Sequence, residues 1–230
     1  FEQYKAQREE TPEAIRLSVP IIKEIIRAYR IPILEVAGYE ADDVIGTLAT
    51  EAGRQGIITY MMTPDKDYGQ LVSDKVFMYR PKHTGGFEVM GVDEVKAKFD
   101  IQSPAQVIDM LGLMGDSSDN IPGCPGVGEK TAQKLIAEFG SIENLLEHTD
   151  QLKGALKTKV ETNREMITFS KFLATIKIDV PIQLDMDSLV REQADEDSLR
   201  QIFEELEFRT LIDRVLKKEN AGNGITTPTG

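Results

Sequence analysis

Behind Thr11-Pro12-Glu13, apolar residues recur at helical spacing at Ile15, Val19, Ile22, Ile25 and Ile26. That pattern predicts an amphipathic helix with Thr11 as N-cap, proline at its first position and a kink or restart at Pro20. Residues 33–36, just after Pro32, form a short and mostly apolar run and predict a buried strand. Residues 41–55 read as an amphipathic helix closed by Gly56, and residues 57–62 as a second strand. Strand, helix, strand in that order predicts a right-handed βαβ unit in a parallel sheet. Residues 76–79 and 87–90 are expected to pair across Gly85-Gly86, and 92–99 to form a short helix.

From Ser103 the pattern is helical only, with helices expected at 103 to about 114, 129–139, 142–146, 153–172 and 198–214. The fold class is therefore α/β, a parallel-sheet part followed by a helical part, with no internal repeat. The expected organisation is an α/β part over 1–100, a helical part over 101–216, and a linker over 217–230, whose residues from Asn220 carry no charge.

Composition narrows the chemistry. The 230 residues are 40% hydrophobic and 29% charged, a globular balance, and the net charge is -12. On its face that charge argues against a nucleic-acid partner, which is held through Lys and Arg. Its distribution alters the inference. Residues 185–207 carry a net seven negative charges and residues 40–67 a net four, so two stretches account for nearly all of it. The single Cys124 excludes an internal disulfide and a cysteine zinc site and fits a reducing cytoplasm; His83 and His148 have no metal-ligand spacing. No apolar run approaches the ~20 residues that span a bilayer, and no signal peptide is evident. The chain opens on Phe1 rather than Met, which reads as a piece of a longer protein.

Three acidic clusters stand out: Glu40-Ala-Asp42-Asp43 after the first expected strand, Asp65-Lys66-Asp67 after the second, and Asp116-Ser-Ser-Asp119-Asn120 after the first helix of the helical part. Ligands of an open parallel sheet collect at the carboxyl ends of its strands, which places the first two on one edge, and the third can fold back onto it. Each cluster alone also reads as a helix cap or a solvated turn. Together, seven carboxylates would repel one another unless cations offset them, and an all-oxygen donor set favours Mg²⁺ or Mn²⁺ over Zn²⁺. Two such ions serve phosphodiester hydrolysis.

Between two expected helices lies Ile121-Pro-Gly-Cys-Pro-Gly-Val-Gly-Glu-Lys-Thr131. Gly126 and Gly128 let a ligand approach the backbone, and a helix N-terminus with Lys130 and Thr131 in its first turn suits a phosphate. The same loop also reads as an ordinary tight helix connection. Downstream, Lys153, Lys157, Lys159, Arg164, Lys171 and Lys177 form a basic stretch, either a solvated helix face or a track for duplex DNA.

Taken together, residues 38–46 (GYEADDVIG), 63–67 (TPDKD), 115–123 (GDSSDNIPG) and 126–136 (GVGEKTAQKLI) resemble the 5′-nuclease (flap endonuclease) superfamily, and most closely the 5′→3′ exonuclease domains at the N-terminus of bacterial DNA polymerases of type I. The resemblance spans about 1–216. It implies that Glu40, Asp42, Asp43, Asp65, Asp67, Asp116 and Asp119 bind or surround two divalent ions. It implies a helix–three-turn–helix at Gly126, Gly128, Lys130 and Thr131 that grips duplex phosphates with a monovalent cation such as K⁺. Tyr4-Lys-Ala-Gln-Arg8 resembles the Tyr-Lys-x-x-Arg at the base of the family's helical arch. There Lys5 and Arg8 would polarise the scissile phosphate, and Tyr4 would stack on a base. Pro64 and Cys124 depart from the family pattern without cost to the expected site.

The implied function is a structure-specific nuclease, cutting the 5′ strand of DNA flaps and nicked duplexes, including RNA primers, as a monomer ahead of polymerase domains. The family's first strand and two further Asp ligands have no counterpart here, so the chain alone is expected to have little activity. The alternatives are a non-catalytic duplex-binding fragment and an acidic phosphohydrolase of small substrates.

Overall fold

The computed structural model describes residues 4–82 and 84–216. The His83 position and the expected linker at 217–230 lie outside the described residues. The chain divides into two compact units, one of residues 1–9 and 35–184, the other of residues 10–34 and 185–230.

The larger unit is built around a three-stranded sheet in the order β1 (Thr59–Met62), β2 (Val76–Pro81), β3 (Phe87–Met90). β1 pairs parallel with β2, Thr59 opposite Val76, and β2 pairs antiparallel with β3, Met78 opposite Met90. The hairpin turns at Gly85 and Gly86, both at positive φ (88° and 78°), as that tight reversal requires. The βαβ unit expected from 33–36, 41–55 and 57–62 is not formed; the parallel neighbour of β1 is β2, expected only as half of the hairpin, and a 3₁₀ turn over Lys66–Leu71 lies between them. Residues 33–36 form no strand. They lie where the chain passes from one unit to the other, and a strand without a partner leaves its ladder unpaired.

The expected helix over 41–55 is observed as α2 (Ala41–Arg54), ended by Gly56 at φ 79°. Helix α3 (Val92–Phe99) and helix α5 (Glu129–Phe139) have the predicted bounds. Helix α4 (Val107–Met114) follows a single 3₁₀ turn at Pro104–Gln106. It is the spine of the unit: Val107, Met110, Leu111 and Leu113 are fully buried. Burial of that kind contributes about 1.5–3 kcal/mol for each large side chain. Helix α6 (Ile142–Glu147) starts at Ser141, whose Oγ accepts from Asn144 N–H at 3.2 Å. The single helix expected over 153–172 is two, α7 (Gly154–Thr162) and α8 (Arg164–Ala174). The break falls at Asn163, whose backbone leaves the helical region at φ -105° and ψ 19°; its N–H and its side-chain amide both donate to the Lys159 carbonyl, at 3.1 and 2.8 Å.

α4 and α8 cross closely at Gly112, where a Cβ would lie 2.7 Å from Ile142 Cδ1 and 3.1 Å from Lys171 Cα. Beside that crossing Lys171 donates to buried Asp109 at 2.7 Å and to Glu143 at 2.8 Å. Asp109 also caps α6 by accepting from Ile142 N–H at 2.9 Å. Burial raises the Asp109 pKa, and the bonds from Lys171 and Ile142 only partly offset it. Lys171 therefore ties helices together instead of facing solvent.

The smaller unit pairs α1 (Glu13–Ala28) with α9 (Glu196–Glu205), the short α10 (Arg209–Leu211) and a wide helical turn over Ile212–Leu216. Ala28, Leu199, Phe203 and Leu216 form its core. Pro12 takes φ -50° and ψ 139° and is itself the cap, so Thr11 falls one residue outside the helix. Helix α1 runs unbroken through Pro20. The single helix expected over 198–214 stops at Glu205, because Glu207 turns left-handed at φ 57°. Among the described residues no helix is long and apolar enough to cross a membrane.

Candidate active site

All three acidic clusters lie in the larger unit. Glu40 is the N-cap residue of α2, with Asp42 and Asp43 in its first turn, where the helix dipole favours negative charge. Asp65 and Asp67 follow the carboxyl end of β1: Asp65 caps the 3₁₀ turn, accepting from Asp67 N–H at 3.0 Å. Asp116 and Asp119 sit in a closed turn after α4, in which Asp116 and Ile121 exchange both backbone bonds, at 2.9 and 2.8 Å.

A cleft of about 520 Å³ brings these together, with Tyr4, Glu40, Asp42, Asp43, Asp67 and Asp119 on its lining and residues 172–177 across from them. Asp65 and Asp116 do not line it. Asp116 reaches the group through Lys66, which pairs with Asp116 and stands 3.6 Å from Asp67 Oδ1. The Tyr4–Arg8 segment is strapped onto the Asp116–Ile121 turn. Lys5 N–H donates to the Asp119 carbonyl at 3.0 Å, Gln7 to the Ser117 carbonyl, and Arg8 to the Asp119 carboxylate. Lys5 takes a left-handed backbone, φ 56°, and its ammonium donates to Glu40 at 2.5 Å with Asp119 at 3.9 Å.

The titrations follow from this packing. Burial, then the charge of Asp65, pushes the Asp67 carboxyl up to about 7. Asp67 Oδ1 is buried and accepts no hydrogen bond, though the Lys66 ammonium lies 3.6 Å away. Burial also raises Asp42, although Tyr68 donates to it at 3.0 Å, and burial beside Asp42 raises the Tyr68 phenol. For Asp116 burial is outweighed by bonds from Lys66 and Ser118 N–H, which hold it below the ordinary value. For Lys5 burial is outweighed by Glu40 and Tyr4, which lift it to about 12.

As the side chains stand, no three His, Cys, Asp or Glu among the described residues close on a common point. Lys5, Arg8 and Lys66 supply the compensating positive charge. The donor set nonetheless fits a divalent ion. It is all oxygen, crowded enough to hold a proton on Asp67 near neutrality, and has one buried carboxylate oxygen free of hydrogen bonds.

Three contributors escaped the sequence reading: Lys66, Tyr68 and Gln70. Gln70 holds the opposite wall, donating to the Ala174 carbonyl and accepting from Ile176 N–H, both at 2.9 Å. Asp43 accepts from Lys177 N–H on the same wall at 2.9 Å. Only the position of Lys66 between two aspartates is a local signal; the others act across long stretches of chain.

The glycine hairpin stands apart from the cleft. Gly126, at φ 76°, lies beneath the Lys159 ammonium, which a Cβ there would approach to 2.6 Å. Gly128 is the N-cap residue of α5 and faces open space, with Lys130 exposed and Thr131 half-buried in the first turn. Of the basic stretch, Lys171 is tied to Asp109 and Glu143, and Arg164 to the Leu146 carbonyl. Lys153, Lys159 and Lys177 are exposed, Lys177 beside Asp179 at 2.6 Å.

Comparison with known proteins agrees with this architecture. DNA polymerase I of Bacillus subtilis is 43% identical over 217 residues, 94% of this chain and 24% of that protein. The thermostable DNA polymerase I of Thermus filiformis is 41% identical over 213 residues, 92% of this chain and 25% of that protein. The chain thus spans about a quarter of the length of these relatives. Among solved structures, the T5 5′-exonuclease with bound divalent metal ions (zinc) superimposes with a TM-score of 0.63 at 20% identity, over 90% of this chain and 77% of that one. The catalytic core of Rad2 in complex with DNA substrate gives 0.60 at 17% identity, over 93% and 72%. Residues 1–100 match the 5′-3′ exonuclease N-terminal resolvase-like domain and residues 102–197 the 5′-3′ exonuclease C-terminal SAM fold, and the chain belongs to the 5′-3′ exonuclease family.

Proposed function

We propose that the cleft is the hydrolytic centre of a structure-specific DNA nuclease that cuts the 5′ strand at flaps and nicks, ahead of polymerase domains in the same protein. The observation that carries this reading is the gathering of five carboxylates from three separate segments in one cleft, one of them with a buried oxygen that accepts no hydrogen bond. Glu40, Asp42, Asp43, Asp65, Asp67, Asp116 and Asp119 would hold or surround two divalent ions, Mg²⁺ or Mn²⁺. Bound there, such ions supply an activated water and neutralise charge on the phosphate. Lys5 and Arg8, which hold Glu40 and Asp119 in the free protein, are the cations placed to turn toward the scissile phosphate. Tyr4 lines the same cleft and offers a ring to a base. The boundary expected near residue 100 would run through one compact unit, and the cleft takes residues from both sides of it.

The reading is tested by Mg²⁺-dependent cleavage of a 5′-flap substrate by the full-length protein that carries this chain. Cleavage should stop on chelation with EDTA and slow by at least ~10-fold in Asp119→Asn, which also loosens Arg8. Unchanged cleavage in that variant would remove Asp119 from the site.

Duplex binding that does not depend on cleavage is the second reading, favoured by the open Gly128 and exposed Lys130. The hairpin, with a monovalent cation such as K⁺, would grip a phosphate remote from the cut. Lys130→Ala should then weaken binding to all duplex sequences alike and reduce the slope of log K against log[salt] by about 1. An unaltered salt slope in a titration by fluorescence anisotropy would exclude Lys130 from phosphate contact.

A further inference from the structure

Phe172 stands out on the cleft wall opposite the carboxylates. It lies in the last turn of α8 and lines the cleft, yet the residue is 72% exposed. The neighbouring Phe169, three residues earlier on the same helix face, stacks on it with ring centroids 6.3 Å apart and planes 17° from parallel. The helix beneath is seated on the core, with Ile167, Ser170 and Ala174 buried. The chain after it is pinned to the carboxylate wall by Gln70 and Asp43. A flat apolar face is thus held at a fixed place relative to Asp43 and Asp67 and left open to solvent.

We propose that Phe172, backed by Phe169, is a nucleobase-stacking platform that orients the nucleotide next to the scissile phosphate. Charge selects this occupant. The cleft concentrates carboxylates, so an anionic group is repelled there unless cations shield it. The base is the uncharged, flat part of a nucleotide and meets no such penalty. Every base has a π-face, so the platform fixes position without reading sequence. This assignment rests on the cleft being a DNA site, as proposed above.

The chain contains no tryptophan, so Phe172→Trp places a single reporter on the platform. The test uses the whole chain with a labelled nicked duplex, and with the same duplex made abasic at successive positions beside the nick. Base stacking should quench the emission of the introduced indole, and one abasic position should abolish the quenching. In parallel, Phe172→Leu, which keeps apolar bulk without a π-face, should weaken anisotropy-measured binding of the intact duplex on the order of 10-fold. It should leave binding of the duplex abasic at that position unchanged. Duplex binding with no quenching, or an equal loss on intact and abasic DNA, overturns the platform while the DNA reading stands. Absence of duplex binding by the unsubstituted chain overturns both.

Discussion

Asp67→Asn should lower flap cleavage by the full-length protein on the order of 10²-fold while making the metal-free chain more stable at pH 8. The opposite signs have one cause. Burial beside Asp65 lifts the folded carboxyl to about 7, against an ordinary value of 3.8. The folded state therefore keeps a proton that the unfolded chain has lost between those values. Its stabilising contribution is complete below the unfolded value and disappears as pH rises through about 7. At pH 8 the wild type carries a crowded buried carboxylate, and an amide removes that cost, raising Tm by a few degrees. A divalent ion relieves the same cost, so the Mg²⁺-induced rise in Tm of the wild type should grow from pH 6 to pH 8. The growth should be absent in Asp67→Asn. A Mg²⁺ response independent of pH in the wild type, measured by thermal denaturation, would contradict this account.

Gly123→Ala should destabilise the protein by at least about 3 kcal/mol, lowering Tm by roughly 6–12 °C. Gly123 has φ 63°, and a Cβ there would lie 2.7 Å from the Met114 carbonyl carbon and 2.8 Å from Gly115 Cα, backbone that cannot turn aside. Its N–H donates to the buried Ser170 hydroxyl at 2.9 Å, and the next residue, Cys124, donates its N–H to the Leu113 carbonyl at 2.7 Å. Gly115 is closed in the same way: a Cβ there would lie 2.9 Å from the Pro122 carbonyl oxygen. The loss should extend to the metal response, because Asp116 and Asp119 are borne on this turn. Gly128→Ala is the contrast: a Cβ there meets nothing within 4 Å, and the change should cost no more than about 1 kcal/mol as a cap effect. A Gly123→Ala protein melting within 2 °C of wild type would refute the packing argument.

The helices α3 and α5 were legible in the sequence because their signals are local: apolar periodicity, an acidic first turn and a clean stop. The 33–36 strand misled because an apolar run says nothing of whether a partner strand stands beside it. The break at Asn163 was missed because the apolar rhythm continues across it, while the change is one residue's backbone angles with one side-chain bond beside it. In the site, Asp65 and Asp67 follow β1 as expected, whereas the strand expected to place Glu40, Asp42 and Asp43 is absent and the start of α2 carries them instead. The compensation of these carboxylates was not legible. Tyr68 on Asp42, Lys66 on Asp116 and Gln70 on the far wall bridge segments 26, 50 and 104 residues apart, and no periodicity links such positions.

The turn and hairpin between α4 and α5 form one short stretch of chain, with Asp116 near its start and Gly128 at its end. Backbone bonds from Asp116 to Ile121, from Cys124 to Leu113 and from Val127 to Cys124 leave almost no slack in it. For anyone engineering this protein it behaves as a ruler. One added residue would shift the hairpin by up to ~3.5 Å relative to the carboxylates. Loop length here is therefore the variable by which the distance between hairpin and carboxylates could be redesigned, whereas the open Gly85-Gly86 turn is the place for a tag or label that should leave that distance alone.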